Sequence, residues 1–418
     1  MANPVLNSGS VDRFPVIDFD EFHLREVRQL IAARHALVDD DLEGAESLSL
    51  IAPSGAAYTY RFEGRLAVEP GASGATQVLL DPDAFAEFFH ELLSISGLVA
   101  TRRVEVIKGD IGGFRRWEPA LRAIYCGRPI YSGSVLGELV DAEGRALPLA
   151  HAFDFRDFED KREDMRAYLN TMGYLHIKRV FAGSEIDMIR AGVLDAMAAS
   201  RPDDGKSWWS VLEDGREVPT RINYLNRFSA FFDDIGRDPR VQTLGLLADP
   251  RHLVCLDRVD GPMVFIKSPG VKTGLANLLW HKDCDLGGHP VMCPLIQLGI
   301  QLDEASAGNG QVRFLAGSHR YSNHVLEMGQ EFELPVVGMD TEPGDVTLHF
   351  GDVLHCTPAP TSAQANRKVL YYKFEKPEMF ESIPAGGHYN DLLFRSGKEG
   401  RVAYRASTWK SDRQLDGS

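Results

Sequence analysis

The chain has 418 residues, 44% hydrophobic and 25% charged, a globular composition of a length that corresponds to about two to three domains. Its 45 basic and 60 acidic residues give a formal net charge of −15, which repels a phosphate backbone and argues against nucleic acid as a partner. No apolar run reaches the roughly 18 to 20 residues of a membrane span, and the opening MANPVLNSGS lacks a basic stretch leading into an apolar one. The five cysteines (Cys126, Cys255, Cys284, Cys293, Cys356) show neither a paired count nor a CxxC spacing, so a cytoplasmic protein without a disulfide framework or thiolate zinc site is expected.

The first dozen residues are polar and predicted to be loose. Phe19, Phe22, Val27, Leu30 and Ile31 then recur at helical spacing and predict an amphipathic helix over 19–37. The β-rich runs 47–51, 58–68 and 76–80 are separated by PSGAA and EPGASG, which predicts a small antiparallel meander. Pro82 suits the first turn of a helix whose apolar side is Phe85, Phe88, Phe89, Leu92 and Leu93. A strand near 103–107 and a helix near 117–125 complete an α+β unit, and a domain boundary is expected between about 130 and 155.

The second unit opens with a helix over 159–172 that Gly173 ends, followed by a strand over 174–180. Ser184 with Asp187 reads as a capping box for the next helix, which Ile186, Ile189, Val193 and Met197 continue. From about 253 to 376 short β-runs (264–267, 295–302, 312–315, 345–350, 352–355, 369–374) are broken by Gly, Pro and Asn, which suggests a sandwich or barrel. The tail beyond about Pro377 is polar and reads as peripheral.

The chemistry is concentrated in Trp280-His281-Lys282-Asp283 and, 74 residues after His281, His355 in GDVLHCTPAP. In a strand, residues i and i+2 share a face, so His281 and Asp283 can address one metal, with His355 as third ligand. Two imidazoles and a carboxylate on one face leave coordination positions open, the arrangement of non-haem Fe(II) oxygenases. An isolated His-x-Asp also reads as a surface or cap pairing. Downstream, Thr357 and Arg367 offer a hydroxyl and a rigid guanidinium fork suited to the distal carboxylate of 2-oxoglutarate, although Arg367 also reads as a solvent-facing edge residue.

The sequence here resembles the phytanoyl-CoA dioxygenase family of Fe(II)- and 2-oxoglutarate-dependent oxygenases. MRAYLNTMGYLHIKRVFAGSEIDMIR, WHKD, GNGQVRFLAGSH (308–319) and PGDVTLHFGDVLHCTPAPTSAQANR (343–367) occur in family order over roughly residues 152 to 380. The resemblance implies a double-stranded β-helix, a cupin-like jelly roll, flanked by helices; with the smaller N-terminal α+β domain read above, the expected fold class is α+β. It implies His281, Asp283 and His355 as catalytic iron ligands, with Arg367 and Thr357 on the oxoglutarate carboxylate and O2 as oxidant. Gln297, which shares a strand face with Gly299 and Gln301, is a further candidate contact, as are Lys267 and Asn277. His319 and His349 read as structural, and His289 as a loop residue. Halogenating relatives replace the ligand carboxylate by a small residue, so Asp283 favours hydroxylation, or desaturation or cyclisation by the same hydrogen abstraction.

The stretch 207–232 is rich in aromatics, and Trp208, Trp209, Tyr224, Asn226 and Phe228 are candidates to cover a small, mainly apolar substrate, with plain packing on the barrel as the alternative. The N-terminal unit looks somewhat like the sterol carrier protein type two fold. That likeness suggests a lipid-like or carrier-bound substrate, or a role in homodimerisation; the bland reading is a stabilising domain. The expected division is therefore 1–150, 151–380 and a C-terminal extension over 381–418. Two other functions fit less well: a non-catalytic lipid carrier leaves the ligand set idle, and a zinc hydrolase leaves Arg367 and Thr357 without a role.

Overall fold

The computed structural model describes residues 17–377 apart from 92, 101, 129, 131–138, 203, 284–292, 321–333 and 363–365. The expectations for the opening residues, Cys284, His289 and the 381–418 extension lie outside the described residues.

The N-terminal unit is a five-stranded sheet under helices. Strands β1 (Leu48–Ile51), β2 (Ala57–Phe62) and β3 (Leu66–Pro70) form an antiparallel meander in which the single expected run 58–68 is divided by a bend at 63–65. The fourth, β4 (Thr76–Leu80), departs from it, running parallel to β1 on that strand's free edge, with β5 (Val104–Lys108) antiparallel beyond it. Turn signals alone do not say which edge a strand joins. The covering helices, Val27–Arg34, Pro82–Phe89 and Ile111–Cys126, bury Phe22, Phe85, Phe89, Phe114 and Trp117 against Leu48, Leu50, Tyr60 and Val78. Asp81 and Asp110 cap two of them by accepting from the N–H groups of Ala84 and Gly113. The first helix is not uniform: Phe22–Glu26 forms a π-turn inside it.

The second unit contains two facing sheets. The larger has β6 (Ala152–Asp154), β7 (Tyr174–Lys178), β8 (Ser207–Leu212), β9 (Glu217–Ile222), β10 (Leu253–Val254), β11 (Met263–Lys267), β12 (Val271–Thr273), β14 (Ile296–Gln301), β17 (Val346–Phe350) and β19 (Arg367–Glu375). The smaller has β13 (Leu278–His281), β15 (Arg313–Leu315), β16 (Val336–Gly338) and β18 (His355–Thr357). All but the β6–β7 pair are antiparallel. Their inner faces meet where Phe314 of β15 stacks on Tyr174 of β7, with ring centroids 4.9 Å apart. This is a double-stranded β-helix.

Alternation along the central strands gives the larger sheet two characters. Ile296, Leu298 and Ile300, Val346 and Leu348, and Leu370, Tyr372 and Phe374 face outward and are fully buried under helices Phe158–Met172, Gly183–Ala199 and Pro239–Gly245. Burying each such side chain contributes about 1.5–3 kcal/mol. The close approach of the last helix depends on Gly245, where a Cβ would lie 2.2 Å from the Phe374 ring. The residues between them face the barrel interior and are mostly polar: Gln297 and Gln301, Thr347 and His349, Arg367 and Lys373.

Two local expectations shift. Helix Gly183–Ala199 begins before Ser184, with the Glu185 carboxylate accepting from the Ala182 N–H, because Val180 and Phe181 are already tied to the Gly344 carbonyl. The aromatic stretch 207–232 begins as the β8–β9 hairpin and so is part of the larger sheet. Asp214-Gly215, with Gly215 at φ 85°, is the turn signal that betrays it.

Candidate active site

His281 closes β13 and His355 opens β18, and the two are directly paired across that antiparallel ladder. Their rings are 4.3 Å apart, and the donor atoms of His281, Asp283 and His355 all lie within 4.8 Å of one another. Asp283 joins them differently from the expected strand alternation. The strand ends at His281, and Asp283 is held in a turn by its N–H bond to the Gly351 carbonyl. Its Oδ2 accepts from Gln297 Nε2 at 2.7 Å and from His349 Nε2 at 3.1 Å, while Oδ1 faces His355 Nε2 at 3.6 Å. One carboxylate oxygen is thus occupied by protein donors and the other is turned to the histidines.

His355 Nδ1 lies 2.9 Å from the Val353 carbonyl and donates to it, which leaves the Nε2 lone pair directed at the cluster. Burial, with His281 adding to it, lowers the His355 pKa to about 3, so the ring is neutral. Burial alone would raise the Asp283 carboxyl, but neighbouring His355 and the hydrogen bond from His349 outweigh it and hold the group well below the usual carboxylate range. A neutral imidazole and an ionised carboxylate are the forms that ligate a metal. The donor set fits Fe(II).

His349 is the site residue that sequence reasoning assigned to structure. It stands opposite Gln297 in the β14–β17 ladder, and both reach the same oxygen of Asp283. The signal was present in β17, where Thr347 and His349 interrupt the apolar Val346, Leu348 and Phe350 at every second place. Gln297 accordingly commits its Nε2 to Asp283, while its Oε1 is buried without a protein partner. Gln301 donates to Thr347 Oγ1, and Gly299 makes room for the Tyr371 ring, where a Cβ would lie 2.7 Å away.

Thr357 shares the His355 face of β18, and Arg367 begins β19. Arg367 is 4% exposed, so it is not a solvent-facing edge residue. Its Nη2 donates to the Gly310 carbonyl at 2.8 Å, yet its Nε and the Thr357 hydroxyl are buried with no protein partner. Two unpaired buried donors, one on the His355 strand and one on the inner face of β19, fit a carboxylate such as that of 2-oxoglutarate. Tyr371, on the same inner face, lies between Arg367 and Asp283, and burial pushes its phenol up to about 12. Lys267 is placed opposite Arg367 but is committed elsewhere: its ammonium donates to Asn277 Oδ1 and to the carbonyls of Thr357 and Pro358, which uses its three hydrogens. Lys267 and Asn277 brace the 357–358 segment.

The five aromatic-stretch candidates do not assemble at one point. Trp208 lies on the inner row Trp208, Arg221, Phe265, Val369, Gln301, with its Nε1 buried and unpartnered. Trp209 Nε1 donates to Ser207 Oγ. Tyr224 is buried beneath the Arg227 guanidinium, Asn226 donates to Asp233 and to the Leu256 carbonyl, and Phe228 packs against the outer apolar cluster. His319 stacks on Phe350 and bonds the Asn170 carbonyl, away from the ligands.

Residues 169–369 match the phytanoyl-CoA dioxygenase (PhyH) family. This part of the chain is a PhyH-family domain. The chain is also 26% identical over 252 residues to a protein of Stutzerimonas stutzeri named as a probable alpha-ketoglutarate-dependent hypophosphite dioxygenase, a match spanning 55% of this chain and 85% of that protein. Among solved structures it resembles EvdMO1 (21% identity, TM-score 0.43, 52% of this chain and 50% of that one). It also resembles AviO1 from Streptomyces viridochromogenes Tue57 (22%, 0.43, 52% and 95%) and EctD from S. alaskensis with 2-oxoglutarate and 5-hydroxyectoine (18%, 0.43, 51% and 76%). The PhyH domain makes the chain a 2-oxoglutarate-dependent dioxygenase. No helix among its described residues is long and apolar enough to cross a membrane.

Proposed function

We propose that this PhyH domain hydroxylates a small molecule, with iron held by His281, Asp283 and His355 and the far carboxylate of 2-oxoglutarate held by Arg367 and Thr357. The observation that carries the reading is the conjunction of the His281, Asp283 and His355 donor atoms, all within 4.8 Å of one another, with the two unpaired buried donors of Arg367 and Thr357. When bound, iron and 2-oxoglutarate supply oxidation by O2: substrate C–H, 2-oxoglutarate and O2 become substrate C–OH, succinate and CO2. Desaturation or ring closure begins from the same loss of a hydrogen atom.

The chain's own residues do the positioning. Gln297 and His349 fix Asp283 so that Oδ1 remains available, and the Val353 carbonyl sets the His355 tautomer. Arg367 and Thr357 anchor the co-substrate at the far end, which orients its near end toward the metal. The inner wall is more polar than a mainly apolar substrate would need, and the hypophosphite named for the S. stutzeri relative supports a small polar one. A zinc hydrolase would leave Arg367 and Thr357 unused. Succinate formation that requires Fe(II), O2 and 2-oxoglutarate and is lost in Asp283→Ala supports this function; metal-independent turnover, or full activity in the variant, refutes it.

A further inference from the structure

A second charged group lines the barrel wall beside the ligand cluster. Lys373 stands directly opposite Gln297 in the β14–β19 ladder, and Gln297 is the residue that holds Asp283. Lys373 Nζ and Arg221 Nη2 both donate to one oxygen of Asp260, at 2.9 and 2.7 Å. The three side chains are 4%, 8% and 0% exposed. Two buried cations thus meet at one carboxylate oxygen. Glu375, next on the same strand face, accepts from Cys293 Sγ and is faced by Arg128.

Part of this group is unused by the protein. Among the described residues Arg221 donates through Nε, to Asn223 Oδ1, and through Nη2, which leaves the two hydrogens of Nη1 without a protein acceptor. Its guanidinium lies 4.6 Å over the Trp208 ring, whose buried Nε1 also has no partner. The backbone beneath is strained to hold this geometry. Val259 and Asp260 take left-handed φ values of 54° and 72°, as does Tyr224 at 52°, whose N–H bonds the Asp260 carbonyl. A β-branched residue in that region is a rarity and costs about 1–3 kcal/mol; such strain clusters at ligand sites.

We propose that Arg221, Lys373 and Trp208 form the charged end of the substrate site, and that the substrate presents a small oxyanion, a carboxylate or a phosphorus oxyacid, to Arg221 Nη1 and Trp208 Nε1. The guanidinium fork matches two oxygens of either group. Arg221 lies two strands from Lys373 in the order β9-β11-β19-β14, and the shared Asp260 joins it to Lys373, opposite the Gln297 that holds Asp283. This inference rests on the oxygenase reading above.

The test uses full-length protein loaded anaerobically with Fe(II) and 2-oxoglutarate, whose visible chelate absorption reports the co-substrate site. Methylphosphonate, acetate and neutral acetamide are titrated calorimetrically into it. One oxyanion is expected to bind saturably and acetamide not, with methylphosphonate against acetate separating the two acid classes. Arg221→Gln is expected to weaken that binding at least tenfold, Arg221→Lys to restore part of it, and the chelate absorption to persist in both. Asp260→Asn, which keeps a residue type that tolerates the left-handed backbone, removes the competing carboxylate and is expected to tighten binding. Equal binding of oxyanions and acetamide, or unchanged binding in Arg221→Gln, with the absorption intact, overturns the anion site and leaves the oxygenase reading standing. Should Arg221→Gln fail to fold, unchanged or weaker binding in Asp260→Asn overturns it. Absence of the absorption in folded wild type removes both.

Discussion

The N-terminal unit and the barrel both bury histidines and unpaired polar atoms, but they arrange them differently. In the first, His23 is fully buried, stacked on Tyr58 at 4.3 Å and 3°, and its Nε2 and the Tyr60 hydroxyl have no partner amid Phe19, Phe22 and Phe85. Among the described residues, no group of three or more potential metal ligands surrounds them. In the barrel the unpaired Gln297 Oε1, His349 Nδ1, Thr357 Oγ1 and Arg367 Nε sit on strands that converge on three potential ligands. Burial of a polar group is therefore common to both units, whereas convergence distinguishes the site. A strand makes that convergence possible because alternate residues share a face, so β14, β17 and β19 keep an apolar outer surface and a polar inner one in the same sequence.

Substitutions on the two faces of the barrel should separate function from stability. Asp283→Ala is expected to lower metal-dependent succinate formation to background with the far-ultraviolet dichroism retained; measurable iron-dependent turnover would place the carboxylate ligand elsewhere. Leu298→Ala, on the outer face, should destabilise the barrel by about 2–5 kcal/mol in denaturant unfolding while leaving the 2-oxoglutarate requirement of the folded enzyme unchanged. A shifted requirement at normal stability would mean that the faces are not independent.

The N-terminal unit is tested by pH. Burial lowers the His23 pKa from 6.5 to about 4, although the Phe19 carbonyl and Asp20 oppose it. The unfolded chain thus takes up this proton first, and stability present above pH 6.5 should fall by about 3 kcal/mol as pH drops to 4. His23→Gln should flatten that part of the unfolding profile; His319, lowered to about 3, acts with the same sign in the barrel and should be unaffected. Identical profiles for wild type and variant would show that His23 is not buried neutral. His349→Phe, which removes one donor to Asp283, is expected to weaken Fe(II) affinity about 10–100-fold without altering the pH response of the N-terminal unit. The smallest effect is at a cap: Asp110→Ala should cost about 1 kcal/mol, read as a lower midpoint of the N-terminal transition, and no change would show the cap to be replaced by water.

Much of the barrel site was legible because it depends on short-range pattern. His281, Asp283, His355, Thr357 and Arg367 belong to motifs whose order survives in the chain, and the outer face follows from alternating apolar residues. What escaped depends on pairing across strands. His349 becomes a site residue only when β17 lies beside β14, and Lys267 turns from a candidate contact into a brace only when the 357–358 carbonyls meet its ammonium. Register and edge choice, as with β4 joining β1 in parallel, are set by tertiary contacts that a single sequence does not display. The β8–β9 hairpin is a different case, since its Asp-Gly turn was visible and the aromatic content drew attention from it.

The most direct measurement of the central claim is anaerobic addition of Fe(II) and 2-oxoglutarate to metal-free protein, followed by visible absorption in wild type and Arg367→Ala. A chelate band that requires both additions, and that needs more 2-oxoglutarate in the variant, is the predicted result. A folded wild-type protein that gives no band, or a variant that gives the same band at the same 2-oxoglutarate concentration, would contradict the assignment of these residues to iron and its co-substrate.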